Sequence, residues 1–206
     1  MLNENESLAY GVSNNAVVVG AVSTATLDGV RMRAFRWQDG VMQDLGTLGG
    51  DNSEALGVSA DGNVIVGAAE NAHGGINAFR WTAEHGMQAL GALPGGQDFS
   101  VALGMSADGA IIVGYAYDAN FTPRAFRWTL QTGMQDLNQL YASLLTDGST
   151  LDRAFGISPN GRYIVGQGYN ATTGRYEAFL LDTVPEPASL LALGIGLLGV
   201  AIRRRR

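Results

Sequence analysis

The sequence contains no Cys and no Lys, and only two of its 206 residues are His. Without Cys the chain has no disulfide framework, no thiolate zinc site, no iron–sulfur cluster and no Cys nucleophile. His73 and His85 lie between glycines in loop-like segments, and we interpret both as solvated loop residues rather than as bases of a catalytic triad. These absences predict a protein that is not an enzyme and that holds neither a cofactor nor a metal.

Basic charge is scarce everywhere except at the C-terminus. Residues 1–183 carry nine Arg against 18 acidic residues, a formal net charge of −9. Nucleic-acid binding needs a clustered basic face, so an acidic body predicts no nucleic-acid partner. The terminal arginines resemble a nuclear-targeting or nucleic-acid motif as a string, but an apolar run directly precedes them.

Glycine is abundant, with 29 residues, roughly twice the usual share. Such a chain needs many tight turns or close backbone contacts. Hydrophobic residues make up 46 % of the sequence, which excludes disorder as a description of the whole. The length fits one large domain or two small ones, with a sizeable core.

The C-terminal segment is apolar from residue 188 to residue 202, where Ser189 is the only polar side chain. A helix of that length covers about 22 Å, and snorkelling arginines can extend it toward the roughly 30 Å of a bilayer core. We predict one transmembrane helix over 188–202, with a body outside the cytoplasm. The alternative, a buried helix of a soluble domain, is disfavoured because the segment is apolar on every face. The predicted membrane stop consists of Arg203, Arg204, Arg205 and Arg206.

This tail resembles the PEP-CTERM sorting signal of Gram-negative bacteria. The resemblance rests on a short motif, the apolar segment and the terminal arginines, in that order. It implies export, anchoring in the inner membrane, recognition near Pro185 and Pro187 by the processing enzyme exosortase, and release to the envelope or the exterior. It also implies a bacterium that makes exopolysaccharide and biofilm. The predicted sorting motif consists of Val184, Pro185, Glu186 and Pro187.

The N-terminus lacks the features of an export signal. A signal peptide has a basic start and an apolar core, whereas residues 1–7 are acidic. The sequence therefore predicts a chain that is truncated at its N-terminus or whose start is misassigned, rather than one from which an export signal has been removed.

The body consists of one unit repeated four times. An A-x-G-x-S phrase occurs at 9–13, 55–59, 102–106 and 154–158, and each copy leads into an apolar run ending in Gly. An A-F-R-W phrase and a G-M-Q-x-L-G phrase follow. Each unit therefore predicts four short strands, with Asp-Gly or Asn-Gly turns between the first two. In A-F-R-W, alternation places Phe and Trp on one face and Ala and Arg on the other.

Four strands in about 46 residues is the size of a β-propeller blade. We predict an all-β, propeller-like fold of four repeats, the last ending after its third strand; a β-solenoid or stacked sheets is the alternative. The predicted division is an N-terminal stub at 1–6, the repeat domain at 7–183 and the sorting tail at 184–206. The predicted structural residues of the repeat are Phe35, Trp37, Phe79, Trp81, Phe126, Trp128, Gly57, Gly104 and Gly156.

The repeat phrases resemble the HAF-type extracellular repeat over residues 7–182, with the segment 42–50 matching its G-x-M-x-D-L-G-x-L-G-G part. The His of that family is absent, and Arg33, Asn77 and Arg124 stand in its place. The resemblance implies a surface repeat without an agreed activity.

Two sets of charged residues recur at equivalent positions. We interpret Asp44, Asp136, Asp61 and Asp108 as caps of turns and strand ends; Ca²⁺ binding is the alternative, since carboxylates beside Gly turns suit hard cations. For Arg36, Arg80 and Arg127 we expect stacking on aromatic rings or pairing with those Asp residues rather than ligand capture.

The sequence thus favours a non-enzymatic surface or matrix protein whose partners are exosortase, the membrane, and exopolysaccharide or other surface proteins. The alternative is a propeller-type lectin or polysaccharide-active enzyme. Such an enzyme needs a unique cluster in one repeat, and the non-repetitive segments 115–124 and 141–153 are the places to look for it.

Overall fold

The computed structural model describes residues 4–26 and 29–184. These residues form four antiparallel sheets that follow one another along the chain. Sheet 1 comprises β1 (Glu4–Val12), β2 (Val18–Thr26), β3 (Gly29–Gln38) and β4 (Val41–Asp44). Sheet 2 comprises β5 (Gly49–Val58), β6 (Ile65–Asn71), β7 (Ile76–Thr82) and β8 (Gly86–Ala89). Sheet 3 comprises β9 (Ser100–Met105), β10 (Ile112–Tyr117), β11 (Pro123–Thr129) and β12 (Gly133–Asp136). Sheet 4 comprises β13 (Thr150–Ile157), β14 (Tyr163–Asn170) and β15 (Arg175–Asp182).

Within each sheet the strands pair in chain order. The predicted all-β fold with four repeated sheets is therefore confirmed, including the fourth unit of three strands. A short helix α1 (Leu137–Leu140) and a 3₁₀ turn (Ala142–Leu144) lie in the link between sheets 3 and 4. The predicted membrane helix at 188–202 lies outside the described residues, and no helix within them is long and apolar enough to span a bilayer.

The sheets pack face to face in sequence, and each contact contains its own apolar cluster. Between sheets 1 and 2, Val19 and Ala34 pack with Ile65, Phe79 and Trp81. Equivalent residues meet between sheets 2 and 3 and between sheets 3 and 4. In sheets 2 to 4 we call the side that meets the preceding sheet the front face and the other side the back face. In sheet 1 the front face is the side that has the equivalent residues. The alternation in A-F-R-W places Phe and Trp on the front face and Ala on the back face, as predicted.

Glycine is required at one position of the second strand of each sheet, where this strand pairs closely with the first strand. A Cβ added at Gly67 would overlap the carbonyl oxygen of Glu54, and it would stand 3.0 Å from Cε1 of Phe79. The predicted structural glycines of the first strands permit close contact between neighbouring sheets. A Cβ at Gly104 would lie 3.2 Å from Cα of Gly156 in the next sheet. The glycine excess is thus tied to close backbone contacts.

The turns between the first two strands link the sheets through backbone hydrogen bonds. Asn14 N–H donates to the Ala60 carbonyl at 3.0 Å, Ala60 N–H to the Ala107 carbonyl at 2.9 Å, and Ala107 N–H to the Pro159 carbonyl at 2.9 Å. The glycines of these turns have positive φ, as the Asp-Gly and Asn-Gly pairs predict. In the shorter first turn Ala16 adopts a φ of 60° instead.

Candidate functional site

Most of the predicted sorting motif lies outside the described residues. Val184 is the exception: its N–H donates to Oδ1 of Asp182 at 3.0 Å. Pro185, Glu186, Pro187 and the arginines at 203–206 are not among the described residues.

The recurring aspartates cap turns. Asp61 accepts hydrogen bonds from the hydroxyl of Ser59 and from the backbone N–H of Asn63, and these bonds lower its pKa. Asp108 is held in the same way by Ser106 and Ala110, which lowers its pKa as well. The carboxylates are therefore already supplied with donors.

The other two recurring aspartates cap the ends of fourth strands. Asp44 accepts from Gly46 N–H at 2.8 Å, and Asp136 accepts from Asn138 N–H at 2.8 Å. Across residues 4–26 and 29–184, no group of three or more His, Cys, Asp or Glu side chains is placed to hold a metal ion. The contacts of all four aspartates suit a capping role.

Arg36, Arg80 and Arg127 do not take part in the arginine ion pairs of the described residues, which are Arg31–Asp51, Arg33–Asp44, Arg124–Asp118 and Arg162–Asp182. Arg36 donates to the side-chain oxygen of Gln38 instead. Arg36 and Arg80 both line a shallow groove of about 750 Å³, together with Trp81 and His85.

A second concavity has a more distinctive lining. This cleft, of about 440 Å³, opens between sheets 2 and 3, and its wall includes Glu54, Ala68, Glu70, Phe99 and Tyr115. We call it the sheet 2–3 cleft. At one repeat position the two sheets contribute side chains of different size to this wall, Ala68 from sheet 2 and Tyr115 from sheet 3.

Aromatic rings form one wall of the sheet 2–3 cleft. Phe99 stacks on Tyr117 with ring centroids 4.6 Å apart, and the Phe99 and Tyr115 centroids are 5.9 Å apart. The guanidinium of Arg153 lies 5.0 Å from the Tyr115 ring centroid, a cation–π contact that holds the ring in place. Burial raises the pKa of Tyr115, which keeps its hydroxyl protonated at neutral pH.

Carboxylates stand on the opposite wall. Glu70 Oε2 accepts from the backbone N–H groups of Asp51 and Asn52 at 3.1 and 3.2 Å, so this group orders the first residues of β5. Glu54 makes no side-chain hydrogen bond or ion pair within the described part of the chain. The Tyr115 hydroxyl likewise has no hydrogen bond there. One acceptor and one donor are thus free to meet a ligand.

The sequence identified this site only in part. Tyr115 begins one of the two segments singled out as non-repetitive, and Arg153 ends the other, so their contact joins the two. Glu54 and Phe99 were missed, because nothing in their local sequence distinguishes them. A comparison of the four repeats at the position of Tyr115, which holds Ala21, Ala68 and Gln167 in the other copies, is the signal that finds the cleft.

A sequence profile of the PEP-CTERM protein-sorting motif matches residues 183–206, which confirms the prediction of a PEP-CTERM signal at the C-terminus. The motif implies an exported protein that exosortase processes, anchored in the membrane and then sorted to the surface. No curated protein is similar enough in sequence to count as a match. The resemblance to the HAF repeat stays a prediction.

Two solved structures resemble the fold. TolB from Acinetobacter baumannii has a TM-score of 0.56 and 15 % identity over 88 % of this chain and 41 % of its own. A protein described as TolB from Agrobacterium tumefaciens has a TM-score of 0.53 and 14 % identity over 87 % of this chain and 58 % of its own. The chain therefore spans about half the length of these β-propeller proteins. At this identity the likeness supports the propeller-like fold alone.

Proposed function

We propose that this is an exported, non-enzymatic protein of the cell envelope, which exosortase cuts from its tail so that the repeat body is displayed at the surface. The observation that carries the proposal is the sorting motif over residues 183–206. The acidic, lysine-free body and the turn-capping role of its recurring carboxylates favour display over catalysis. Proline on either side of Glu186 supports cleavage there, since it keeps the backbone extended and accessible to a protease.

The test measures whether the C-terminal tail is cleaved from the exported chain. The chain, fused to a cleavable export signal, is expressed in a bacterium with an active exosortase and in the same strain with the exosortase gene deleted. We expect the body to leave the inner membrane without its tail only in the first strain. Replacing Pro185, Glu186 and Pro187 with Ala should leave the uncut chain in the inner membrane of both strains. A wild-type chain that keeps its tail beside an active exosortase would contradict the proposal.

The sheet 2–3 cleft favours a specific second function, binding of a neutral saccharide. A sugar presents an apolar face, which aromatic rings cover, and a rim of hydroxyls, which need acceptors and donors. The rings of Phe99 and Tyr115 provide an aromatic surface for the apolar face of the sugar. The free carboxylate of Glu54 provides an acceptor for the sugar hydroxyls, and the protonated hydroxyl of Tyr115 provides a donor. These features support the sheet 2–3 cleft as the site of the predicted lectin alternative.

Tyr115→Ala tests this function with little risk to the fold, because two other repeats have Ala at the same position. We expect the affinity for exopolysaccharide fragments, measured by calorimetry, to fall at least about tenfold, the loss of roughly 1.4 kcal/mol of stacking. Tyr176→Ala is the matched control, since Tyr176 is 66 % exposed and does not line the cleft. Equal losses in the two variants, or no binding by the wild type, would exclude the cleft as a saccharide site.

A further inference from the structure

Among residues 4–26 and 29–184 nothing covers the front face of sheet 1, although its residues are similar to those of the covered front faces of the other sheets. Ser7 and Ala9 are exposed, and Val12 is 67 % exposed. At the position of Ala9, the other three sheets have alanines with no exposed surface, namely Ala55, Ala102 and Ala154. At the position of Val12 they have apolar side chains packed on the preceding sheet, namely Val58, Met105 and Ile157.

The back face of sheet 4 is likewise not covered by any residue that the structure describes. Val165 is 45 % exposed, whereas its three counterparts have no exposed surface. Ala178 is exposed, and its counterparts are again fully buried. These counterparts are Val19, Val66 and Val113 for the first residue and Ala34, Ala78 and Ala125 for the second.

The internal junctions show how two such faces fit together. Ser53, on the front face of sheet 2, accepts a hydrogen bond from Ala34 N–H of sheet 1 at 2.9 Å and donates to the Gly46 carbonyl at 2.6 Å. Ser100 does the same between sheets 2 and 3, accepting from Ala78 N–H at 2.9 Å. Ser7 holds the position of Ser53 in sheet 1. Ala178 holds the position of Ala34, whose N–H is the donor, in sheet 4.

We propose that the front face of sheet 1 in one copy packs on the back face of sheet 4 in a second copy, repeating the internal junction between molecules. The two faces are complementary because the chain packs equivalent faces together at three internal junctions, two of which also have the serine hydrogen bonds. Such a head-to-tail contact closes into a ring or continues as a chain, depending on the rotation between copies. Two copies in a ring bring together eight sheets, within the four to eight blades that propellers hold.

Two features make this contact weaker than the internal junctions. Leu45 adds to the apolar cluster behind sheet 1, and sheet 4, which has three strands in the described part of the chain, shows no counterpart of it there. Pro159 has no N–H and cannot donate to the next turn, as Asn14, Ala60 and Ala107 do. We therefore expect an association that depends on protein concentration.

Disulfide trapping tests the geometry, because the chain has no Cys of its own. Ser7→Cys and Ala178→Cys are prepared as separate full-length variants in detergent micelles and oxidised alone or mixed. Only the mixture should give a cross-linked pair, since the contact places the two positions side by side as it does at Ser53 and Ala34. Leu130→Cys, 81 % exposed at a turn, replaces either partner as the control. Cross-linking of either variant with itself, or of the control to the same extent, would overturn the proposal.

The mass of the full chain in solution tests the strength of the contact. Light scattering should show two or more copies at high concentration. Val165→Arg, which places a charge on the back face, should reduce the association at least tenfold. Pro159→Ala, which copies Ala60 and Ala107 and restores the donor, should strengthen it about fivefold. A monomeric wild type, or an association that neither substitution changes, would overturn the proposal, provided circular dichroism shows that both variants are folded.

Discussion

Gly166 lies directly beneath the ring of Phe179, so that a Cβ added at this glycine would stand 2.6 Å from both Cε1 and Cζ of the phenylalanine. The same added atom would overlap the carbonyl oxygen of Arg153. The relationship recurs in sheets 2 and 3, between Gly67 and Phe79 and between Gly114 and Phe126. The buried Phe of each A-F-R-W-type phrase therefore packs where the neighbouring strand has no side chain.

Gly166→Ala should lower the free energy of unfolding by about 2 kcal/mol or more, because the methyl group overlaps backbone that cannot move away. Gly156→Ala, in the neighbouring strand, is the matched control. A Cβ there makes an ordinary contact of 3.6 Å with Val165, and we expect a change within about 0.5 kcal/mol. Urea unfolding of the two variants measures both effects. A Gly166→Ala variant as stable as the control would refute this account of how the glycine and the phenylalanine pack.

The four sheets were predictable because their determinants are local and repeat along the chain. Each A-x-G-x-S phrase, apolar run and Gly turn specifies one hairpin, and four copies reinforce the same interpretation. The sheet 2–3 cleft was not predictable, because its chemistry depends on which side chains of different sheets meet. Tyr115 could be noticed as an exception to the repeat, but its approach to Arg153 and Glu54 depends on how the sheets pack.

Ser53→Ala should cost about 1 to 3 kcal/mol of stability, since it removes the acceptor of the buried Ala34 N–H and a donor to Gly46. Ser7→Ala changes the same repeat position on the uncovered face, and the unfolding free energy of the monomer should change by less than about 0.5 kcal/mol. Chemical denaturation at low protein concentration compares them. Similar losses in both variants would contradict the view that only Ser53 joins two sheets.

The turn aspartates should make stability depend on acid. Hydrogen bonds from Ser59 and Ser106 hold the pKa values of Asp61 and Asp108 below the ordinary 3.8. A lowered pKa in the folded state adds stability above the unfolded value, and this contribution is lost as the pH falls through the folded pKa. We therefore expect the unfolding free energy to fall below about pH 4.

The double variant Asp61→Asn, Asp108→Asn removes that contribution while keeping an acceptor in each turn. Asn15 and Asn160 occupy this position in the other two repeats and accept from their serines in the same way. The variant should lose less stability than the wild type between about pH 4 and pH 2. Parallel curves for the two proteins in urea unfolding at a series of pH values would show that these carboxylates are not responsible.

Asp152 should have the opposite dependence on pH. It occupies the position of Ser53 in sheet 4, and burial raises its pKa, an effect that Thr150, Arg124 and Arg153 only partly offset. A raised pKa in the folded state gives stability that is present below the unfolded value and is lost as the pH rises through the folded one. Its ionised form thus opposes folding at neutral pH.

Asp152→Asn should therefore raise the unfolding free energy at pH 7 and leave it nearly unchanged at pH 3, where the wild-type carboxyl is protonated in both states. Asn keeps an acceptor for the Thr150 hydroxyl, which donates to Asp152 at 2.7 Å, so the packing of sheet 4 against sheet 3 is preserved. Asp147→Asn provides the control, because the pKa of Asp147 is lowered by Ser149 rather than raised by burial. That substitution should not raise stability at pH 7. If Asp152→Asn lowers stability at pH 7, the attraction of the two arginines outweighs the cost of burial, and the assignment of burial as the dominant effect is wrong.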